Sequence, residues 1–248
     1  MKISVLMGSP RKKGNTAQCL EPFCNELKKL GHEYTVHWLY DKKIDPCFAC
    51  RACQKDWTTF SCVRKDDLKP IADDVLASDL IVLATPIYSW YCPGPMKNVL
   101  DRFVYGFNKY YGEELGPSIW AGKKVALFVT CGYKPEKGAD LFEEGIRRYC
   151  KHSKLTYLSM FAERHLGYNT VFMDEKKSAA RPGICPEYYR MTSERLKHLV
   201  IAVRIEKAPE REVSGAFSYS MIQAWRHVGG WTVRRTSPIY KKTSIGVP

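Results

Sequence analysis

The chain has 248 residues, of which 45% are hydrophobic and 26% charged, and its formal net charge is +13. This length and composition predict a soluble globular protein with one large domain, or one medium domain and an appendage. No apolar run is long enough to span a membrane and the N-terminus lacks a signal-peptide core, which together predict a cytoplasmic location without a membrane partner. The basic residues are spread along the chain without a nucleic-acid-binding motif, so we expect no nucleic-acid partner. An anionic cofactor or substrate explains the basic excess as well.

Apolar runs alternate with helical patterns as far as residue 161. In chain order the patterns predict strand 3–7, helix 16–30, strand 33–39, helix 66–78, strand 79–86, helix 94–107, strand 123–132, helix 138–152 and strand 155–161. Short, continuously apolar strands such as 79–86 are typical of a parallel sheet that is buried on both faces. With right-handed crossovers, this order predicts an α/β fold with a doubly wound, five-stranded parallel sheet.

Three loops are expected to share one edge of this sheet. Ligands of doubly wound sheets bind beyond the carboxyl ends of the strands. The loops 8–16, 85–92 and 130–137 all leave strands at that edge. We therefore expect them to line one binding site.

The first of these loops, "GSPRKKGNT", has the composition of a phosphate-binding loop. Backbone N–H groups, short hydroxyls and the positive end of the following helix dipole would converge there. The candidate phosphate-binding residues are Ser9, Arg11, Gly14, Asn15 and Thr16. The loop lacks the Gly-Lys-Ser/Thr ending of a triphosphate P-loop and the three glycines of a dinucleotide fingerprint, which favours a monophosphate. The alternative is a solvated turn followed by a helix N-cap.

Four of the ten cysteines are clustered, and their spacing indicates metal or redox chemistry. Cys47, Cys50 and Cys53 have the C-x₂-C-x₂-C spacing that offers three thiolates to a cubane iron-sulfur cluster, and Cys62 is an available fourth ligand. A set of free thiols and a zinc site remain open as alternatives. The scattered cysteines are expected to be buried core residues, although Cys92 falls in the predicted loop 85–92 and could lie close to a ligand there.

Two segments together resemble a known family. The segment "GSPRKKGNT" and, after the third strand, "ATPIYSWYCPGPMKNVLDRF" resemble the flavodoxin-like NAD(P)H-dependent FMN reductases, over residues 1 to about 181. The resemblance implies that Ser9, Arg11, Asn15 and Thr16 hold the FMN phosphate. It also implies that the isoalloxazine ring lies along a second set of residues and that a third loop completes the pocket: Pro86, Ile87, Tyr88 and Ser89, then Thr130, Cys131 and Gly132.

The cysteine loop resembles that of the iron-sulfur flavoproteins, a branch of the same family. Eight residues separate Cys53 from Cys62, which is longer than the compact motif of cluster-bearing members. A longer loop costs little entropy, so this spacing still permits ligation of a [4Fe-4S] cluster. Members of this branch often form dimers or tetramers, so the resemblance implies a homodimer or homotetramer.

The resemblance implies an FMN-dependent NAD(P)H oxidoreductase that passes electrons to a small acceptor, such as a flavin, a quinone or a metal ion. The alternative is an iron-sulfur flavoprotein that relays electrons between ferredoxin-like protein partners. Because the flavin carries the redox chemistry, no catalytic acid or base is predicted.

The alternating pattern ends after residue 181. We therefore divide the chain into an FMN-binding domain, residues 1–181, and a C-terminal extension, residues 182–248. The extension is interpreted as an arm that packs on another subunit, with a lid over the flavin pocket and a poorly ordered segment as alternatives.

Overall fold

The fold is that of a computed structural model, which describes residues 1–165. The strands are β1 Lys2–Met7, β2 Glu33–Trp38, β3 Leu80–Pro86, β4 Lys124–Cys131 and β5 Thr156–Arg164. The helices are α1 Asn15–Lys29, α2 Leu68–Ala77, α3 Gly94–Phe107, α4 Pro135–Gly138 and α5 Asp140–His152. The end of the proposed FMN-binding domain and the whole proposed extension lie outside the described residues.

The five strands form one parallel sheet in the order β2-β1-β3-β4-β5. This is the flavodoxin-like order, and it reverses direction between β1 and β3. The predicted fold class is therefore confirmed. Three details differ from the prediction: the helix expected over 138–152 begins at Asp140, the predicted loop 130–137 contains the start of the short helix α4, and β5 continues to Arg164.

Both faces of the sheet are covered by helices. Alternate residues of β1, including Val5 and Met7, pack against α1, whose Phe23 and Leu27 are fully buried. On the other face, Leu6 of β1 belongs to a core that also contains residues of α2, α3 and α5. Side chains that alternate across a strand explain why a continuously apolar run can serve both cores.

A carboxylate on α2 links β1 and β2, the strands that precede the loop 8–16 and the cysteine loop. Asp74 lies 2.9 Å from the ammonium nitrogen of Lys2 on β1 and 2.8 Å from Nε2 of His37 on β2. Burial alone would raise the pKa of Asp74, but these two partners outweigh it and the pKa is lowered. Within residues 1–165, none of the helices is both long and apolar enough to cross a membrane.

Candidate functional site

The loop between β1 and α1 is held close to the next strand by backbone contacts. The N–H of Gly8 donates to the carbonyl oxygen of Ala84 at 2.8 Å. A Cβ atom at position 8 would lie 2.9 Å from Oγ1 of Thr85, so the close approach requires glycine. The loop therefore starts from a fixed position on the sheet edge.

Three polar side chains of this loop are buried, as a ligand site requires. Ser9, Asn15 and Thr16 are 3%, 5% and 2% exposed. Oγ1 of Thr16 is 2.7 Å from Oγ1 of Thr130, which joins the first loop to the third. The side-chain nitrogen of Asn15 is buried and finds no hydrogen-bond partner among residues 1–165. Such a donor is costly to leave unpaired unless a ligand accepts its hydrogens.

The N-terminus of α1 is open to a ligand. The N-cap residue is Gly14, which provides no side-chain cap, so the first-turn N–H groups have no acceptor from it. A Cβ at position 14 would lie 2.8 Å from Cβ of Arg11, so the fold of the loop excludes a larger residue there. The Arg11 side chain is exposed at the rim of the loop.

His165 lies at the same edge and was not singled out by the sequence. Its N–H donates to the carbonyl oxygen of Cys131 at 2.9 Å, which extends the β4–β5 pairing. Burial lowers the pKa of His165, and the positive charges of Arg11 and Arg164 lower it further. The sequence pattern predicted that the last strand ends at residue 161. Because β5 continues to Arg164, His165 lies near residues 8–16, the candidate phosphate-binding loop, which is called the phosphate loop below.

The second loop makes a tight reversal with a strained backbone. The N–H of Tyr88 donates to the carbonyl of Tyr91 at 2.8 Å, and the N–H of Tyr91 donates back at 3.0 Å. Between them, Ser89 and Trp90 have φ angles of 49° and 62°, although neither is glycine. Such conformations cost free energy and are enriched at ligand sites. The turn leaves the side chains of Tyr88 and Trp90 about half exposed.

Trp90 connects the second loop to the third. Its ring is nearly parallel to that of Tyr133, with centroids 5.9 Å apart, and its Nε1–H donates to the carbonyl oxygen of Lys137 at 3.0 Å. The N–H of Ile87 donates to the carbonyl oxygen of Thr130 at 2.8 Å. The structure thus brings all three predicted FMN loops to one sheet edge.

The cysteines of these loops are buried thiols. Cys131 is 1% exposed and its thiol donates to the carbonyl oxygen of Tyr133 at 3.2 Å. Burial raises the pKa of Cys131 to about 11 and that of Cys92 to about 12. Both thiols are therefore neutral near pH 7.

The second candidate site is a pocket at the cysteine loop that follows β2. Four cysteines line it: Cys47, Cys50, Cys53 and Cys62. Burial raises the pKa of Cys53, the Gln54 amide and Lys109 oppose that shift, and Cys62 and Cys50 add to it, so the thiols are near enough to interact. The spacing of the motif therefore brings all four predicted ligands to one place.

The backbone of the cysteine loop is shaped around these sulfur atoms. Ala49 and Arg51, which flank Cys50, have φ angles of 54° and 59°. The N–H of Ala49 donates to Sγ of Cys47 at 3.4 Å. Cys50 is exposed, whereas Cys53 is buried. The pocket consequently has an open side and a closed side.

Buried polar side chains attach the closed side to the end of α3. Nζ of Lys109, whose side chain is fully buried, donates to the carbonyl oxygens of Cys53 at 2.9 Å and Thr59 at 3.0 Å. The Gln54 amide donates to the carbonyl of Tyr105 at 2.6 Å. The two Lys109 bonds hold loop backbone and the Gln54 bond ties a loop side chain to α3, so the cysteine positions do not depend on loop packing alone.

The family model of the NADPH-dependent FMN reductases matches residues 1–141, which is more than half of the chain. The chain belongs to this family. The match contains β1, the phosphate loop, the cysteine loop and the strained turn. The predicted resemblance is therefore confirmed.

Curated relatives are named iron-sulfur flavoproteins, which confirms the predicted branch. One from Archaeoglobus fulgidus is 39% identical over 102 residues, 41% of this chain and 48% of the relative. Another, from Methanosarcina thermophila, is 33% identical over 105 residues, 42% of this chain and 53% of the relative. The chain spans about half the length of the curated relatives it matches.

Solved structures share the fold at lower sequence identity. An NAD(P)H:quinone oxidoreductase from Methanothermobacter marburgensis has a TM-score of 0.53 and 20% identity, covering 68% of this chain and 89% of its own. The protein Smu.1420 from Streptococcus mutans has a TM-score of 0.57 and 15% identity, covering 79% of this chain and 97% of its own. At these identities the similarity supports the fold alone.

The first site fits the phosphate of an FMN reductase cofactor. The buried amide of Asn15 without an acceptor, the N–H groups at an uncapped helix terminus and the buried Thr16 hydroxyl are the donors that a phosphate monoester accepts from. The loop 8–16 contains no Asp or Glu, so it would not repel a phosphate dianion. The donor set is thus chemically suited to FMN.

The second site gathers four thiols around one pocket. Within residues 1–165, no three Cys, His, Asp or Glu side chains converge on a point that would hold one metal ion. Zinc requires four ligand atoms around one point at about 2.3 Å for sulfur. A cubane makes a different demand, because each thiolate binds a different iron atom at a corner of the cube. Four cysteines that line one pocket supply the number and type of ligands that such a cluster uses.

Proposed function

We propose that this protein is a flavin-dependent oxidoreductase that binds FMN at the three loops and takes electrons from NADH or NADPH. The observation that carries the proposal is the buried Asn15 amide, which has no acceptor among residues 1–165 and lies at the uncapped start of α1. Family membership supports the same reading, because the family is named for FMN reduction.

The phosphate of FMN is assigned to the first loop. Asn15 and Thr16 donate from the first turn of α1, Ser9 donates from the preceding loop, and Gly14 leaves the start of the helix without a side-chain cap. Arg11 at the rim supplies a fork of charged donors. Together these groups neutralise and orient the phosphate, which fixes where the rest of the cofactor lies.

The isoalloxazine ring is assigned to the second and third loops. The ring is expected to lie along the turn from Pro86 to Ser89, and the backbone of Thr130 to Gly132 completes the pocket. The bond between Ile87 and Thr130 holds these two walls together. When bound, FMN supplies the hydride and electron chemistry, so the protein has only to position the ring and control access to it.

We propose that the cysteine pocket holds a [4Fe-4S] cluster with Cys47, Cys50, Cys53 and Cys62 as ligands. Their common pocket supports this assignment, as do the names of the relatives. A cluster favours the second candidate function, in which the protein relays electrons between ferredoxin-like partners. In the first candidate function the acceptor is a small molecule, such as a flavin, a quinone or a metal ion.

The assembly and location are proposals of the same kind. We propose a homodimer or homotetramer in the cytoplasm, which the resemblance to iron-sulfur flavoproteins favours. Among the described residues, the nine cysteines are all free thiols, as expected for a reducing compartment. Light scattering of the full chain measures the assembly, and a monomer would overturn that part of the proposal.

The first experiment is an absorption spectrum of protein purified without oxygen, with iron and acid-labile sulfide measured on the same sample. Flavin bands with roughly four irons per chain, the content of one cubane, support both sites. Flavin bands without iron leave an FMN oxidoreductase with a thiol pocket. A protein that neither contains nor takes up FMN would overturn the proposed function.

A second experiment separates the two candidate functions. The oxidised protein is mixed with NADPH, NADH or a reduced ferredoxin, and flavin bleaching is followed at its visible absorption band. Rapid bleaching by NADPH or NADH supports the enzyme. Bleaching by ferredoxin alone supports the electron carrier.

A further inference from the structure

A buried arginine lies between the cysteine pocket and the core. Arg102 of α3 lines the pocket, and its side chain is 1% exposed. Its Nη2–H donates to Sγ of Cys62 at 3.3 Å. Its Nη1–H bonds the carboxylate of Asp66, which is equally buried, and the carbonyl oxygen of Asp45 at 3.4 Å. The guanidinium thus connects a candidate cluster ligand to the protein interior.

The same guanidinium still has a donor to offer. The Nε–H of Arg102 is buried and has no acceptor among residues 1–165. An arginine keeps its positive charge at any ordinary pH, and its five N–H groups are all donors. The pocket is therefore lined by a guanidinium that is paired with Asp66, donates to Cys62 through Nη2–H and keeps one buried donor without an acceptor among residues 1–165.

The long spacer before Cys62 is itself anchored. Phe60 is 1% exposed and packs against Phe103 and Phe107 of α3, with ring centroids 5.7 and 5.2 Å apart. A Cβ at Gly106 would lie 2.3 Å from the Phe60 ring, so this helix position accommodates the ring because it has no side chain. The hydroxyl of Ser61 donates to the carbonyl oxygen of Cys53 at 3.0 Å. The spacer therefore delivers Cys62 to a defined place.

Hydrogen bonds and charge near cluster sulfur atoms are known to set the reduction potential. One-electron reduction adds one negative charge to the cluster and its thiolates, and no bond forms or breaks at the arginine. A cation held in a poorly solvated position favours the more negative state. Arg102 meets both conditions, since it is buried and donates to sulfur.

We propose that Arg102 is a positioning residue that holds Cys62 as the fourth cluster ligand and makes the cluster easier to reduce. The proposal rests on the proposed cluster, and it identifies a contact that holds Cys62 at the end of the eight-residue spacer after Cys53. Arg64 lines the same pocket but bonds Asp45 at 2.6 Å and lies over the Phe48 ring. It serves as the matched control, because no sulfur is among these partners.

The test is a reductive titration of the full-length protein with dithionite, followed by electron paramagnetic resonance, with iron measured on the same samples. Arg102→Lys keeps the charge but cannot bond Asp66 and Cys62 with one planar fork. We expect it to shift the one-electron equilibrium three- to tenfold toward the oxidised cluster, which is about 30 to 60 mV. Arg64→Lys is expected to leave the potential unchanged.

A second variant keeps the test informative if Arg102→Lys does not fold. Arg102→Gln combined with Asp66→Asn removes both buried charges, and its potential is measured in parallel. A lower potential in either folded variant, or iron loss with FMN retained, supports the proposal. Wild-type potentials in both folded variants would overturn it and leave the cluster assignment intact. A wild-type protein without iron would overturn the cluster and this inference together.

Discussion

The phosphate loop and the cysteine loop leave neighbouring strands at one sheet edge, but they are held by different means. The phosphate loop is fixed mainly by its own backbone, through Gly8 and the start of α1. The cysteine loop is fixed by side chains from elsewhere, above all Lys109 and Arg102 of the α3 region. A short loop beside a sheet can rely on the sheet, whereas a long loop needs supports at several points along its length.

The largest expected effect separates the two regions completely. Cys50→Ser removes one proposed ligand on the exposed side of the pocket, so iron should fall from roughly four per chain to less than about one. The FMN content should not change, because the phosphate loop does not depend on the cysteine loop. Iron, sulfide and FMN are measured on one sample.

The matched control for this variant is Cys24→Ala, a buried cysteine of α1 outside the pocket. It should retain all iron. If Cys50→Ser lost iron and FMN in equal proportion, the phosphate loop would depend on the cysteine loop, contrary to our expectation.

The next effect tests the phosphate loop alone. Asn15→Ala removes a donor that has no partner among the described residues, so FMN affinity should fall about 10- to 100-fold. The free energy of unfolding of the FMN-free protein should stay the same or rise, because an unsatisfied buried group is lost. Fluorescence titration with FMN and urea denaturation measure the two quantities.

Thr16→Val provides the contrast, since the Thr16 hydroxyl is paired with Thr130. This variant should lower the unfolding free energy of the FMN-free protein by about 1 to 3 kcal/mol. Equal destabilisation by Asn15→Ala would show that its amide is satisfied in the free protein.

A smaller loss of stability is expected from Asp74→Asn, and it should affect the strands that precede both loops. Asp74 ties β1 to β2, and its pKa is lowered in the folded protein. Its contribution is therefore fully present above the unfolded pKa near 3.8 and is lost as the pH falls through the folded value. Asp74→Asn should reduce the unfolding free energy by about 1 kcal/mol at pH 7 and flatten its decline below pH 4.

Urea denaturation between pH 2.5 and 7 measures this dependence. Asp73→Asn is the control, since Asp73 is half exposed and pairs with Lys69 on the same helix. A steep decline below pH 4 that persists in Asp74→Asn would assign the acid sensitivity to other groups.

The smallest effect concerns backbone strain in the cysteine loop. Ala49 is exposed and has a φ of 54°, so Ala49→Gly should raise the unfolding free energy by about 0.5 to 1 kcal/mol. Its N–H bond to Cys47 is retained, so iron content should not change. Ala121→Gly, at an exposed position without a positive φ, should have the opposite sign or no effect.

The sequence predicted the elements and the sheet edge because those depend on local periodicity and on connection rules. Short apolar strands and glycine-bounded helices indicate β1 to β4 directly, and a parallel sheet then places the three loops together. The four cysteines were also predicted as a group, since their spacing is local. What lies within one loop can be inferred from its residues.

The supports of the cysteine loop could not be predicted in this way. Arg102 falls in the predicted helix 94–107, for which the sequence indicated no ligand or metal role, and Lys109 follows that helix without any motif. Their roles depend on contacts across 40 and 56 residues of chain, to Cys62 and Cys53. His165 was missed for a related reason, because its position depends on how far β5 continues.

The contact between Phe60 and Gly106 has a consequence for the evolution of the family. A ring at position 60 and any side chain at position 106 compete for the same space. Relatives with an aromatic residue at the end of a long cysteine spacer should therefore have glycine at the matching helix position. Relatives with the compact motif should tolerate alanine or larger residues there. We therefore expect residues 60 and 106 to covary among relatives, and an alignment of their sequences would test this.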